Sequence, residues 1–123
     1  MSFVKQSVTE QSLTVLREQF NRLTEASAEI HEPIIHAVFD TANKLLGAVG
    51  LDEDDNFKVD RTSEPLTALL TAEAVMEVAK LLNECADDML RTVETPEADG
   101  HEEGLRQMAF ITRSAALVLV ASY

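Results

Sequence analysis

The stretch Glu29-Ile30-His31-Glu32-Pro33-Ile34-Ile35-His36 gathers side chains that can ligate a metal or move a proton. It looks like the zinc-protease signature H-E-x-x-H with one residue too many. In that signature the two histidines lie about 40° apart on one helix face, at roughly 100° per residue. His31 and His36 are one position further apart, so on an unbroken helix they diverge by about 140°. Both imidazoles can reach one ion only if Pro33 breaks the helix between them. Glu32 and His36 keep i,i+4 spacing, but no Glu stands three residues before any His. The E-x-x-H ligand pair of metal-binding bundles is therefore missing.

Other candidate chemistry is equally thin. His101-Glu102-Glu103 reads as the polar start of a helix. The run Asp52-Glu53-Asp54-Asp55-Asn56 suggests a calcium loop, but Phe57 stands where an EF-hand needs Gly and Ser63 where it needs Glu. Cys85, the single cysteine, falls at a core-facing position beside Glu84, Asp87 and Asp88. Burial and negative neighbours both oppose a thiolate. No G-x-S-x-G, P-loop or G-x-G-x-x-G occurs, and Gly is too rare for a phosphate cradle. The expectation is a protein that is not an enzyme, with no cofactor and no metal.

The elements that position these residues read as helices. Leu13, Leu16, Phe20, Leu23, Ser27, Ile30 and Ile34 recur at alternating steps of three and four, a heptad-like stripe. Ser7 and Glu10 fit a capping box at its start, and Glu18 and Arg22 can pair on its outer side. Pro33 lacks a backbone donor, and its ring crowds the carbonyl four residues back. A kink or break is expected between His31 and Pro33. The stripe resumes through Ile34, Ile35, Val38, Phe39, Ala42, Leu45 and Leu46, and Gly47 or Gly50 ends it.

Leu51 to Pro65 is a connection, with Phe57 and Val59 alternating as a short extended piece. A further helix is expected from about Ser63 to Val93, capped by Ser63 or Glu64. Glu77–Lys80 and Asp87–Arg91 have pairing spacing on its polar side. After a turn at Thr95–Gly104, a last helix runs from Leu105 to about Ser122. It starts amphipathic and becomes apolar all round, so it must be buried on every side, as a central helix or between subunits. Ala109, Ala115, Ala116 and Ala121 allow a neighbouring helix to come close. The run Phe57-x-Val59, then Leu66-x-x-Leu69-Leu70-x-Ala72 and two Ala/Leu-rich helices, resembles a group of small pseudomonad proteins. That resemblance covers only the second half. It implies a helical hairpin there and no site residues.

The fold class predicted is all-α: an antiparallel bundle of about four main helices in a single domain over residues 1–123, with the first helix kinked or broken at Pro33. The net charge of −12 is uneven. Residues 51–104 hold 16 acidic and 4 basic residues, whereas residues 105–123 hold 2 basic and none acidic. Such a field repels phosphates, so direct nucleic-acid binding is not expected. A lone cysteine fits a reducing cytoplasmic location. The N-terminus lacks the apolar core of a signal peptide, and Ala115–Ala121 is too short to span a bilayer, which takes about 20 residues.

Two functions follow as expectations. The first is a non-enzymatic helical protein-interaction module that homodimerises, with Leu13, Leu16, Phe20, Leu23, Leu117, Val120 and Tyr123 at its interface. The second is an acidic inhibitor that presents Asp52, Glu53, Asp54, Asp55, Glu84, Asp87 and Asp88 to a basic or nucleic-acid-binding protein. A small-molecule- or metal-binding bundle is the third class considered.

Overall fold

The stripe from Leu13 onward does form a helix, and a longer one than the capping box implies. In a computed structural model, α1 spans Ser2–Glu29, so Ser7 lies within the helix and not at its cap. The structure describes residues 2–30, 32–59 and 71–122, with side chains from Glu10 onward in α1. The described residues form four α-helices and one small hairpin: α1, α2 (Pro33–Gly47), β1 (Val49–Leu51), β2 (Phe57–Val59), α3 (Ala72–Val93) and α4 (Glu102–Ala121). This is the all-α bundle that the periodicity predicts.

The break falls at the proline. Glu32 has φ −129° and ψ 77°, outside the helical region, and Pro33 opens α2 in its first turn. There its missing N–H costs nothing, because the first amides of a helix have no intrahelical partner. Once the chain turns back, Phe20 of α1 meets Phe39 of α2 with ring centroids 5.4 Å apart and planes tilted by 57°. Both rings are fully buried. A tilted pair at this distance sets ring edge against ring face, which suits the aromatic quadrupoles.

The stripe does not cross the break as expected. Ile30 and Ile34 are 57% and 78% exposed, and Ile35 is exposed too. Reversal of the chain at Pro33 carries them off the core side. The polar Ser27 stays buried in the seam. It donates to the Thr24 carbonyl at 2.6 Å and lies 2.9 Å from His36 Nδ1. Ser27 has one hydrogen to give; with it on Thr24, the His36 Nδ1–H donates to Ser27 Oγ. That pair clasps α1 to α2 and accounts for a serine where the pattern asked for an apolar residue.

α2 ends at Gly47, as predicted. The chain then enters an antiparallel hairpin with Val49 opposite Val59 and Leu51 opposite Phe57. The extended piece at Phe57–Val59 matches the expectation; its partner β1 is an addition. Arg17 binds this junction from α1. Its Nε donates to Leu46 O at 2.9 Å, and its Nη2 donates to Val49 O.

α3 begins later than the sequence suggests. Ser63 and Glu64 lie outside the described residues. Thr71 has extended backbone, and its side chain accepts from Ala74 N at 3.1 Å, so it is the cap. α3 and α4 form an antiparallel hairpin around a short 3₁₀ turn at Pro96–Ala98. Gly100 takes φ +85° in this turn, a left-handed conformation that glycine adopts without a Cβ clash. Val75, Ala79, Leu82 and Ala86 on α3 are buried, as are Ala109, Ala115, Ala116 and Leu119 on α4. The alanines let the two helices approach closely.

Candidate functional site

The side of α4 that faces away from α3 carries Phe110, Leu117 and Val120. Phe110 and Leu117 lie about 20° apart around the helix, and Val120 about 80° from Phe110. They are 73%, 66% and 41% exposed. Full burial of such a side chain returns roughly 1.5–3 kcal/mol, so this stripe forgoes several kcal/mol in the single chain. The expectation of a helix buried on every side is therefore corrected. One side of α4 is core and the other is open apolar surface.

Phe110 of the uncovered stripe lines a groove between α1 and α4. The groove encloses about 520 Å³, and its walls include Leu13, Val15 and Leu16 of α1, Phe57 of β2, and Phe110 and Val118 of α4. A second concavity of about 410 Å³ continues toward the start of α4 past Gln19, Arg106 and Gln107. Phe110 and Gln19 border both. The first concavity is apolar with a rim of neutral amides and hydroxyls, whereas the second carries the charged Glu103 and Arg106.

The sequence-predicted interface residues divide. Leu13, Leu16, Phe20 and Leu23 are buried in the chain's own core. They pack inside the bundle because α2 and α4 occupy the face they share, so they are not open to a second protein, although Leu13 and Leu16 show an edge to the groove. Leu117 and Val120 are open. Tyr123 lies outside the described residues. Phe110 and Val15, also exposed, were missed. Phe110 stands one turn from Arg106 and Arg113 and so reads as part of a polar side.

The acidic residues fall in separate places. Asp52, Glu53, Asp54 and Asp55 form the hairpin loop. There Asp52 Oδ1 accepts from Asp54 N at 2.9 Å and from Asn56 N at 3.0 Å. Asp55 takes φ 63°, which aspartate tolerates better than most residues. The carboxylate of Asp52 thus folds its own turn. Glu84, Asp87 and Asp88 lie on α3. Asp88 pairs with Arg91, and Asp87 pairs with Arg113 across to α4. The expected Asp87–Arg91 pair is replaced by these two, and neither Glu18–Arg22 nor Glu77–Lys80 is among the ion pairs of the described residues. The shallow concavity at the hairpin is lined by Asp52, Glu53 and Asp54, and the one on α3 by Asp87 and Glu94; neither holds both groups.

Chemistry at Cys85 is suppressed. The thiol is partly buried against the core, and burial, then Asp88, then Glu84 push its pKa above the ordinary 9.0. Among the described residues no three His, Cys, Asp or Glu side chains group as a metal site. His31 lies outside them, and His36 spends Nδ1 on Ser27.

By length and composition α4, taken over its whole span Glu102–Ala121, is long and apolar enough to cross a membrane, although Ala115–Ala121 alone is too short. In this fold its inner side packs on α3 and only its outer stripe is free. No family model, curated protein or solved structure matches the chain.

Proposed function

We propose that this chain is a non-enzymatic helical interaction module that acts as a homodimer in the cytoplasm, using the outer face of α4 and the adjoining groove. The observation that carries this reading is the stripe Phe110, Leu117 and Val120, open beside a groove of about 520 Å³. Contiguous apolar surface of this kind marks an interaction site. Aromatic and large aliphatic side chains in such a patch supply most of the binding energy when covered. The dimer could then present its acidic outer surfaces to a further, basic partner.

The alternative, an acidic inhibitor that imitates nucleic acid, needs free carboxylates on one face. Asp87 and Asp88 are engaged by arginines and Asp52 by backbone amides. These contacts favour the first reading.

Light scattering on the purified chain and on Phe110→Asp and Leu117→Asp tests it. The unaltered chain should run as a dimer at micromolar concentration. Each aspartate should weaken dimerisation by at least about tenfold, because it places a charge in an apolar contact. Circular dichroism should show both variants fully helical. A strict monomer, or a monomer that binds lipid vesicles through α4, would overturn the proposal.

A further inference from the structure

Resting on that self-association, we propose that the second copy docks antiparallel, α4 against α4, about a twofold axis between Arg113 and Ser114. Charge selects the element. With −12 on each chain, two copies repel wherever carboxylates meet. Beyond Glu102 and Glu103 in its first turn, α4 is free of acid from Leu105 onward, so this part of it can approach its own copy at least electrostatic cost.

Pattern selects the direction. An isologous contact requires that residue i meet residue j while j meets i. The proposed axis sets Phe110 of one copy on Leu117 of the partner subunit, and Leu117 on the partner's Phe110. Both side chains are more than half exposed in the single chain. The same register brings Arg106, which lies 3.8 Å from Glu103 of its own chain, to the C-terminal end of the partner's α4, where the last carbonyls and the helix dipole favour a cation. A parallel pair would set Arg106 against the partner's Arg106. Arg113, next to the axis, is already held by Asp87 of its own chain. Ser114 is small enough to let the helices close at the axis. Val15, 45% exposed on the groove wall, lies beside the partner's path.

Single cysteines placed in a Cys85→Ser background test this arrangement. Glu103→Cys, Ser114→Cys and Ala121→Cys all fall on the outer side of α4. In the antiparallel pair only the Ser114→Cys copies come near each other. The Glu103→Cys copies stand about 30 Å apart, at 1.5 Å of rise per residue, far beyond the roughly 7 Å between Cα atoms that a disulfide tolerates. Oxidation, or a short bifunctional maleimide, should link Ser114→Cys into a covalent dimer and leave the other two as single chains. Equal cross-linking at all three sites would mean a parallel pair and overturn the arrangement. A dimer by light scattering with no cross-link at Ser114→Cys would overturn the arrangement and leave the interaction reading standing. A monomer would overturn both.

Discussion

Arg17 shows how one side chain can serve the fold in a way its charge does not announce. It reaches from the middle of α1 to the carbonyls of Leu46 and Val49. Those acceptors close α2 and open the hairpin, where carbonyls have lost their helical partners. Arg17→Ala should therefore destabilise the chain by about 1–3 kcal/mol, the cost of leaving part-buried acceptors unpaired. Urea denaturation reads this as a lower midpoint with an unchanged slope. Nothing in the sequence marks Arg17, because its partners are backbone atoms far along the chain. Cys85 was legible, since its apolar spacing and acidic neighbours both point to an inert thiol. The sign of its pH effect follows. The folded state keeps the thiol proton at pH values where the unfolded chain, near an ordinary thiol pKa, loses it. Cys85 therefore costs no stability at neutral pH, and stability falls as pH rises through and past the unfolded thiol's range. Urea midpoints across that range should drop less in Cys85→Ala than in the unaltered chain; identical profiles would contradict the assignment.

At the scale of elements, periodicity predicted the helices and Pro33 the break, yet the boundaries moved where local contacts decide them. Thr71, itself extended, starts α3 through its bond to Ala74 N, whereas Ser63 and Pro65 in the sequence point to an earlier start. Thr71→Ala should cost about 1 kcal/mol, typical for loss of an N-cap, and should lower the thermal midpoint by a few degrees. β1 was not legible, since Val49-Gly50-Leu51 is too short to show alternation and follows directly on a helix. Ile30 and Ile34 were misplaced for a geometrical reason. A stripe continues on one side only while the helix continues, and the turn at Glu32 restarts the count. The outer face of α4 was half legible. Leu117 and Val120 were expected at an interface, but Phe110 was hidden among polar neighbours, and the composition of the helix suggested burial on all sides.

For the whole molecule, the distribution of charge decides how copies can meet. Most of the acid lies on the hairpin loop, α3 and the turn before α4, while from Leu105 onward the outer side of α4 carries the apolar stripe with two arginines near it. Self-association through α4 must work against the mutual repulsion of two chains that each carry −12. Salt screens that repulsion over roughly 10 Å at 0.1 M, so the dimer should tighten as salt is added. Capture of a basic protein by the acidic surface would weaken under the same change. Sedimentation equilibrium at micromolar concentration, in low and then high salt, is the most direct measurement. The expected mass is twice that of the 13.6 kDa chain, with dissociation on dilution that salt suppresses. A mass that stays at 13.6 kDa at every concentration and salt would contradict it.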